Sequence, residues 1–371
     1  MRKILLMGAG KIGEMITVML SQSGDYHVTV ADISETALAA MPKGANIETL
    51  KLNATDADAM DAALNGMFAV LSACPFTMSK YIAPAAKRAG AHYFDLTEDV
   101  ESTRMVKELA EGADCAFVPQ CGLAPGFITI VAWHLTKKFD SLRNVHMRVG
   151  ALPQMPSNAM KYNLTWSTDG LINEFLQPCE AILGGENVEV PPLEQLETIT
   201  IDGAEYEAFN TSGGLGTLCE TLSGKVQNLN YRTIRYPGHR DILKLLLQDM
   251  RLGEDFDLAK QIFEKALPVT KQDVVLIFVN VTGEKNGQFM QESYAHKVYA
   301  GDIAGGHHTG IQITTAAGIC AMVDLMADGK LPSKGFVKQE DCDFEDFIAN
   351  RFGSHYAKNN AEGGAQSIAA E

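Results

Sequence analysis

The seven cysteines of this 371-residue chain never form a C-x-x-C pair; they are scattered at positions 74, 115, 121, 179, 219, 320 and 342 and are odd in number. That spacing suits reduced thiols better than a disulfide framework or a cysteine zinc site. Basic residues are also short, 31 against 46 acids, for a formal charge of −15. Such a chain lacks the electrostatic footprint for nucleic acid or anionic lipid, so neither is expected as a partner. Long hydrophobic runs are missing too. Arg2-Lys3 followed by Ile4-Leu5-Leu6-Met7 faintly imitates a signal peptide, but the run is short and breaks at Gly8. No window approaches the length that crosses a bilayer, so the expectation is a cytoplasmic protein without a membrane span. Metal-ligand spacing is absent, and His307-His308 reads as a turn. No metal is expected.

What is present is an ordinary globular composition, long enough for two domains. Through residues 1–125, short apolar runs such as "YHVTVAD" (26–32) and "FAVLSACP" (68–75) alternate with helical patterns. That alternation predicts a doubly wound α/β domain, a parallel sheet covered on both faces in the Rossmann manner. At "CGLAPGF" (121–127) the rhythm changes, and "RNVHMRVGAL", "ETITI", "YRTIRY", "DVVLIFVNVTG" and "QFMQESYAHKVYAG" follow. These strands, with helices inserted, predict an α+β domain over 126–305 with a mostly antiparallel sheet. After Gly305-Gly306 the helical "TGIQITTAAGICAMVDLMADG" is expected to return, so that 306–345 completes the first domain. The tail 355–371 has no core-forming pattern and is expected to fray.

The opening "KILLMGAGKIGEMITVML" runs from a strand into Gly8-Ala9-Gly10-Lys11-Ile12-Gly13 and then a helix; a second strand ends in Asp32, 19 positions past Gly13. Gly8 permits the tight turn, Gly10 lets the backbone approach a pyrophosphate, and Gly13 allows close helix–sheet packing. The helix N-terminus then faces the phosphates. Asp32 is placed to accept hydrogen bonds from the adenosine ribose or, alternatively, to cap the next helix. As a ribose ligand it would repel a 2′-phosphate, and Ile33, Ser34 and Glu35 supply no arginine, so NAD is expected rather than NADP.

Three later segments combine aromatics, hydroxyls and glycine: "YNLTWSTDG" (162–170), "FNTSGG" (209–214) and "YRTIRYPGH" (231–239). Arg235, flanked by apolar residues, needs an anionic partner: either a substrate α-carboxylate or an internal acid. His239 is a candidate general base or a loop histidine. Trp166 is a pocket wall or simple core. Asp95, ending a predicted parallel strand, lies where ligands bind in such sheets, or caps the following helix. Cys121 faces a nicotinamide or is a small buried thiol.

In order and spacing, "SACPF" (72–76), "FDLTED" (94–99), "GLAPGF" (122–127), "GALPQMP" (150–156), "YNLTWSTDGLINEF" (162–175), "FNTSGGLGTL" (209–218) and "YRTIRYPGH" (231–239) resemble the saccharopine dehydrogenases and their relatives, the lysine 6-dehydrogenases. The resemblance implies hydride transfer to a nicotinamide from the ε-carbon of lysine, or of a lysine-derived secondary amine. It also implies a discontinuous nucleotide domain and a second domain that forms a homodimer. Carried onto this chain, it adds Ala73, Cys74, Pro75 and Gly122 to Gly8, Gly10, Lys11, Ile12, Gly13 and Asp32 as cofactor-binding residues. For an amino-acid substrate it implies Arg235 on the α-carboxylate, Trp166 and Tyr162 along the alkyl chain, Thr97 and Tyr236 nearby, and His239 or Asp95 taking the proton. Glutamate-forming saccharopine enzymes carry Asp in G-L-D-P-G and Cys before G-G-L-P, where this chain has Ala124 and Val149. These departures point to L-lysine, giving the semialdehyde (allysine, which cyclises to piperideine carboxylate) and ammonia. A saccharopine-type carboxyalkyl-amine oxidoreductase and a non-catalytic NAD-binding regulator or assembly protein are the alternatives.

Overall fold

In the computed structural model of the chain, which describes residues 1–357, the apolar runs of the N-terminal third become parallel strands. These are β1 (Arg2–Met7), β2 (Tyr26–Asp32), β3 (Ile47–Lys51), β4 (Ala69–Ser72), β5 (His92–Asp95) and β6 (Ala116–Val118). With a two-residue strand, Gly335–Phe336, they form a seven-stranded sheet in the order Gly335–Phe336, β6, β5, β4, β1, β2, β3. Ile4, Leu5 and Leu6 are fully buried, as a sheet covered on both faces demands. Three intervening helices begin at side-chain caps, Ser34, Asp56 and Asp99. Strand order reverses between β1 and β4, the switch point at which doubly wound sheets bind ligands.

The chain divides into two units. The first comprises Met1–His134, Gly213–Thr221 and Thr315–Phe352; the second comprises Leu135–Ser212, Leu222–Thr314 and the chain from Gly353. These boundaries differ from the sequence-based cuts after 125, 305 and 345. The helix Phe127–Thr136 starts inside the first core, with the Phe127 ring 5.3 Å from Phe347. The C-terminal return extends to Phe352 because Asp324 gathers Tyr26, Asn350 and Arg351 at 2.7–3.1 Å, while Arg351 also reaches Asp25. Gly213–Thr221 joins the first unit through Gly213, whose missing Cβ would lie 2.3 Å from the Glu98 carbonyl oxygen.

Two further expectations are corrected. The helix Gly310–Ala327 is long and apolar enough to cross a membrane, with mean hydropathy 1.4, although no such window was read from the sequence. It is 89% buried within the protein, which accounts for its composition as that of a core helix. From Thr315 on it belongs to the first unit, and there a Cβ at Gly318 would sit 2.5 Å from the Cys121 carbonyl oxygen. The fraying expected from residue 355 also fails at its start: Tyr356 is buried and donates to the Thr314 carbonyl at 2.6 Å. The remainder of that predicted tail, 358–371, lies outside the described residues.

The second unit holds an eight-stranded mixed sheet of β7 (Ser141–Pro153), β8 (Cys179–Leu183), β9 (Glu186–Val190), β10 (Glu197–Ile201), β11 (Ala204–Asn210), β12 (Val226–Arg235), β13 (Asp273–Lys285) and β14 (Gln288–Tyr299). Only β7 and β12 pair in parallel; the other pairings are antiparallel. Strand alternation sends neighbours to opposite faces. Ile234 packs with Leu152, Tyr206 and Leu276 on one side, while Phe209, the partner of Thr233, packs with Tyr162, Phe175 and Phe263 on the other. His307 and His308 lie in a short strand, Gly306–His308, paired with Gly301–Ile303 rather than in a turn.

Candidate active site

At the end of β1, Gly8 adopts φ +107°, and a Cβ there would meet the Ala73 carbonyl oxygen at 2.8 Å. Gly13, in the first turn of the helix Lys11–Gln22 (α1), is more tightly held: its Cβ would sit 2.0 Å from the Gly8 carbonyl oxygen. Gly10 is the opposite case. It is the N-cap of α1, has nothing within 4 Å of its missing Cβ, and no side chain caps the helix. Two glycines are thus spent on packing, and the middle one leaves space at a helix N-terminus. This cradle fits a dinucleotide pyrophosphate. Lys11 and Ile12 open the helix beside it, and Ala73 is held by its N–H to the Met7 carbonyl at 2.8 Å. Next come half-buried Cys74, whose thiol is pushed up to about 12 by burial and by the Asp32 carboxylate, and Pro75.

Asp32 accepts the Ala9 and Ser34 N–H groups, each at 2.8 Å. The cap of the following helix is the Ser34 hydroxyl, which accepts from Ala37 N–H, so the capping alternative for Asp32 is set aside. The carboxylate instead ties the glycine turn to the end of β2. Each of its oxygens retains further acceptor capacity for a ribose.

Asp95 is fully enclosed. One oxygen accepts Thr97 and Gln120 N–H at 3.0 and 2.9 Å, the other the Tyr93 hydroxyl at 2.7 Å. Burial pushes its carboxyl up against these three hydrogen bonds. Both oxygens hold the segments after β5 and β6, so the structure shows Asp95 as an anchor of these turns. The cap of the next helix is Asp99, not Asp95. Thr97 serves the same turn, accepting Asp99 N–H at 3.1 Å. Cys121 is a buried thiol directed at the Val118 carbonyl, and burial pushes it far up. Gly122 is packed: its carbonyl accepts Phe127 N–H, and missing Cβ atoms at Gly126 and Gly318 leave room for it.

Tyr162, Phe209 and His239, one from each hydroxyl-aromatic segment, converge within the second unit. Arg235, 4% exposed, lies with its guanidinium carbon 5.2 Å from the Tyr162 ring centre and its Nη2 3.2 Å from Glu174 Oε1. Its Nε–H is buried without a partner. His239, 1% exposed, sits 5.3 Å from the Tyr162 ring and 6.4 Å from Phe175 and Phe209. Burial, aided by the Arg235 charge, pushes the imidazole down to about 3, so it is neutral. The Met160 carbonyl lies 2.7 Å from Nδ1, which therefore carries the proton, and Nε2 keeps a bare lone pair without a partner. Trp166 is half-buried against the same aromatic core. Tyr236 is the exception among the predicted substrate residues. It follows Arg235 on the alternating strand, faces the other side, stacks on Tyr206 at 5.7 Å and donates to the Pro153 carbonyl. Among the described residues, no group of three or more His, Cys, Asp or Glu side chains is placed to hold a metal ion.

A family model for the saccharopine dehydrogenase NADP binding domain matches residues 4–115, and one for the saccharopine dehydrogenase C-terminal domain matches 122–355. The chain belongs to the saccharopine dehydrogenase family. It is 18% identical over 317 residues to the mitochondrial alpha-aminoadipic semialdehyde synthase of Bos taurus, covering 80% of this chain and 33% of that protein. With the saccharopine dehydrogenase [NADP(+), L-glutamate-forming] of Schizosaccharomyces pombe it shares 22% identity, over 53% of this chain and 46% of that one. The chain thus spans less than half the length of these curated relatives. The fold matches the L-Glu-forming saccharopine dehydrogenase of Saccharomyces cerevisiae with TM-score 0.77, at 15% identity and 98% coverage of both chains. Homospermidine synthase of Legionella pneumophila, solved with NAD, follows at TM-score 0.66 and 12% identity, covering 96% of this chain and 89% of that one.

In this member of the saccharopine dehydrogenase family, sequence reasoning missed Glu174. Its signal was available: in the helix Thr168–Leu176 it falls among Leu171, Ile172 and Phe175, all buried, and an acid so placed needs a cation. Arg148 was missed as well. It is 2% exposed within β7 and pairs with Glu197 and Asn230.

Proposed function

We propose that this saccharopine dehydrogenase-family chain is an NAD-dependent dehydrogenase that oxidises the ε-carbon–nitrogen bond of L-lysine. The observation carrying this reading is the buried aromatic cluster of the second unit, which encloses the Arg235 guanidinium and a neutral His239. Arg235 binds the α-carboxylate by charge-assisted hydrogen bonds, and Tyr162 and Trp166 pack on the alkyl chain. The amine must react neutral, because an ammonium nitrogen has no lone pair to support loss of hydride. Free lysine has an ε-amine near ~10.4, while His239 stands near 3. The imidazole is thus a far weaker base than the amine, and this reading gives His239 a hydrogen-bonding role in place of proton abstraction. Its Nε2 lone pair instead accepts a hydrogen bond, and the desolvated pocket selects amine that has already lost its proton to water.

Gly8, Gly10, Gly13 and Asp32 would hold a nicotinamide dinucleotide, which would supply the hydride acceptor. The resulting imine is hydrolysed to the semialdehyde and ammonia. Asp32, with no arginine beside it in Ile33-Ser34-Glu35, supports NAD over NADP. A homodimer through the sheet-bearing unit belongs to the same reading and is checked by sedimentation. Saccharopine is the second reading, favoured by the similarity to the L-Glu-forming enzymes. NADH formation with lysine and saccharopine side by side decides: a higher kcat/KM for saccharopine, or faster turnover with NADP, overturns the proposal in that respect.

A further inference from the structure

Within the aromatic cluster of the second unit, Arg235 and Glu174 set one cation against one anion. Arg235 Nη1 is taken by the Ile234 carbonyl at 2.9 Å and Nη2 by Glu174, while Nε–H is buried and unused. Close by, Nε2 of His239 is likewise buried without a hydrogen-bond partner. Buried polar atoms of this kind call for an occupant. A head group bearing only a carboxylate would leave one uncompensated negative charge in this site, and one bearing only an ammonium would leave a positive charge. Either is penalised by burial of an unpaired charge, whereas a zwitterion preserves the balance.

We propose that Arg235 and Glu174 form a clamp for the head group of an α-amino acid. Arg235 takes the α-carboxylate through its unused Nε–H, and Glu174 takes the α-ammonium. This deepens the reading that Arg235 anchors the substrate and rests on it. It assigns a specificity role to Glu174, which selects α-amino acids over ω-amino acids that lack the α-amine.

Calorimetric binding of L-norleucine and of hexanoate to the full chain with NAD compares the two heads on one unreactive tail. Norleucine should bind at least about tenfold tighter. Glu174→Gln keeps the shape and should reduce that preference to about twofold or less, with NAD affinity unchanged. If Glu174 merely steadied Arg235, the variant would weaken both ligands equally and the preference would survive, which overturns the proposal. Equal binding of the two by the unaltered chain, or binding of neither, overturns it without any variant. Oxidation of lysine is read separately, from NADH. A norleucine preference without lysine turnover defeats the lysine reading and leaves the clamp standing; lysine turnover with no head-group preference does the reverse.

Discussion

Adding one methyl group at Gly10 or at Gly13 separates the two jobs of the glycine turn. At Gly13 the new carbon would start 2.0 Å from the Gly8 carbonyl oxygen, so helix and turn must part by more than about 1 Å to reach ordinary contact. Both contacting groups are backbone, which cannot swing aside. Overpacking of this kind costs about 1–3 kcal/mol or more, which in a domain of this size lowers Tm by several degrees. At Gly10 the methyl meets nothing within 4 Å, and φ is −84°, which any residue adopts. Gly10→Ala should therefore melt within about 2 °C of the unaltered chain. Its methyl would stand where pyrophosphate oxygens approach the helix N-terminus, and losing one or two charge-assisted N–H contacts at about 1.5–3 kcal/mol each predicts at least ~10-fold weaker NAD binding. Thermal unfolding and NAD titration of both variants test the pair. A Gly10→Ala protein that binds NAD normally, or a Gly13→Ala protein with unchanged Tm, refutes the reasoning.

Four other outcomes are expected. Asp32→Ala should weaken NAD by about 2 kcal/mol while narrowing the gap to NADP, measured as kcat/KM for each cofactor. Arg235→Ala should cut kcat/KM for lysine by about 2–4 kcal/mol, with NAD affinity nearly intact. Lysine turnover should rise about tenfold per pH unit towards ~10, following the amine, with no histidine limb near 6.5, because His239 is held near 3. The same depressed imidazole makes the fold acid-sensitive. The unfolded chain takes a proton below about 6.5 and the folded one only near 3, so stability falls by about 1.4 kcal/mol per pH unit across that window, and His239→Asn should flatten the loss seen in denaturant titrations.

The nucleotide half of the molecule was legible because its causes are local. Strand, glycine turn, helix and the acid ending the next strand lie within the first 32 residues, and Gly8 and Gly13 each have a backbone neighbour that explains them, while Gly10 has open space. The second half was legible as segments but not as pairs. Arg235 announced that it needed an anion, yet its partner is 61 positions away, and nothing in one sequence names which of many acids it is. Tyr236 was misplaced for a simpler reason. Adjacent residues at a strand end face opposite sides, so Arg235 and Tyr236 could not both line one pocket. Asp95 was placed correctly at its strand end. The three donors that occupy it come from its own strand, the next turn and the loop after β6, and only the fold brings those together.

The returning strand Gly335–Phe336 has a consequence for how the chain is made. It pairs with β6 across more than 200 intervening residues, and closing so long a loop costs on the order of 5 kcal/mol in chain entropy before any contact repays it. During synthesis the first six strands leave the ribosome well before the helix and strand that complete their unit. Through that interval the edge of β6 and the surface awaiting the Gly310–Ala327 helix stay open. Long-range closure of this sort slows folding and prolongs exposure to aggregation. The sheet that contains β1 is closed only when Gly335–Phe336 has been made.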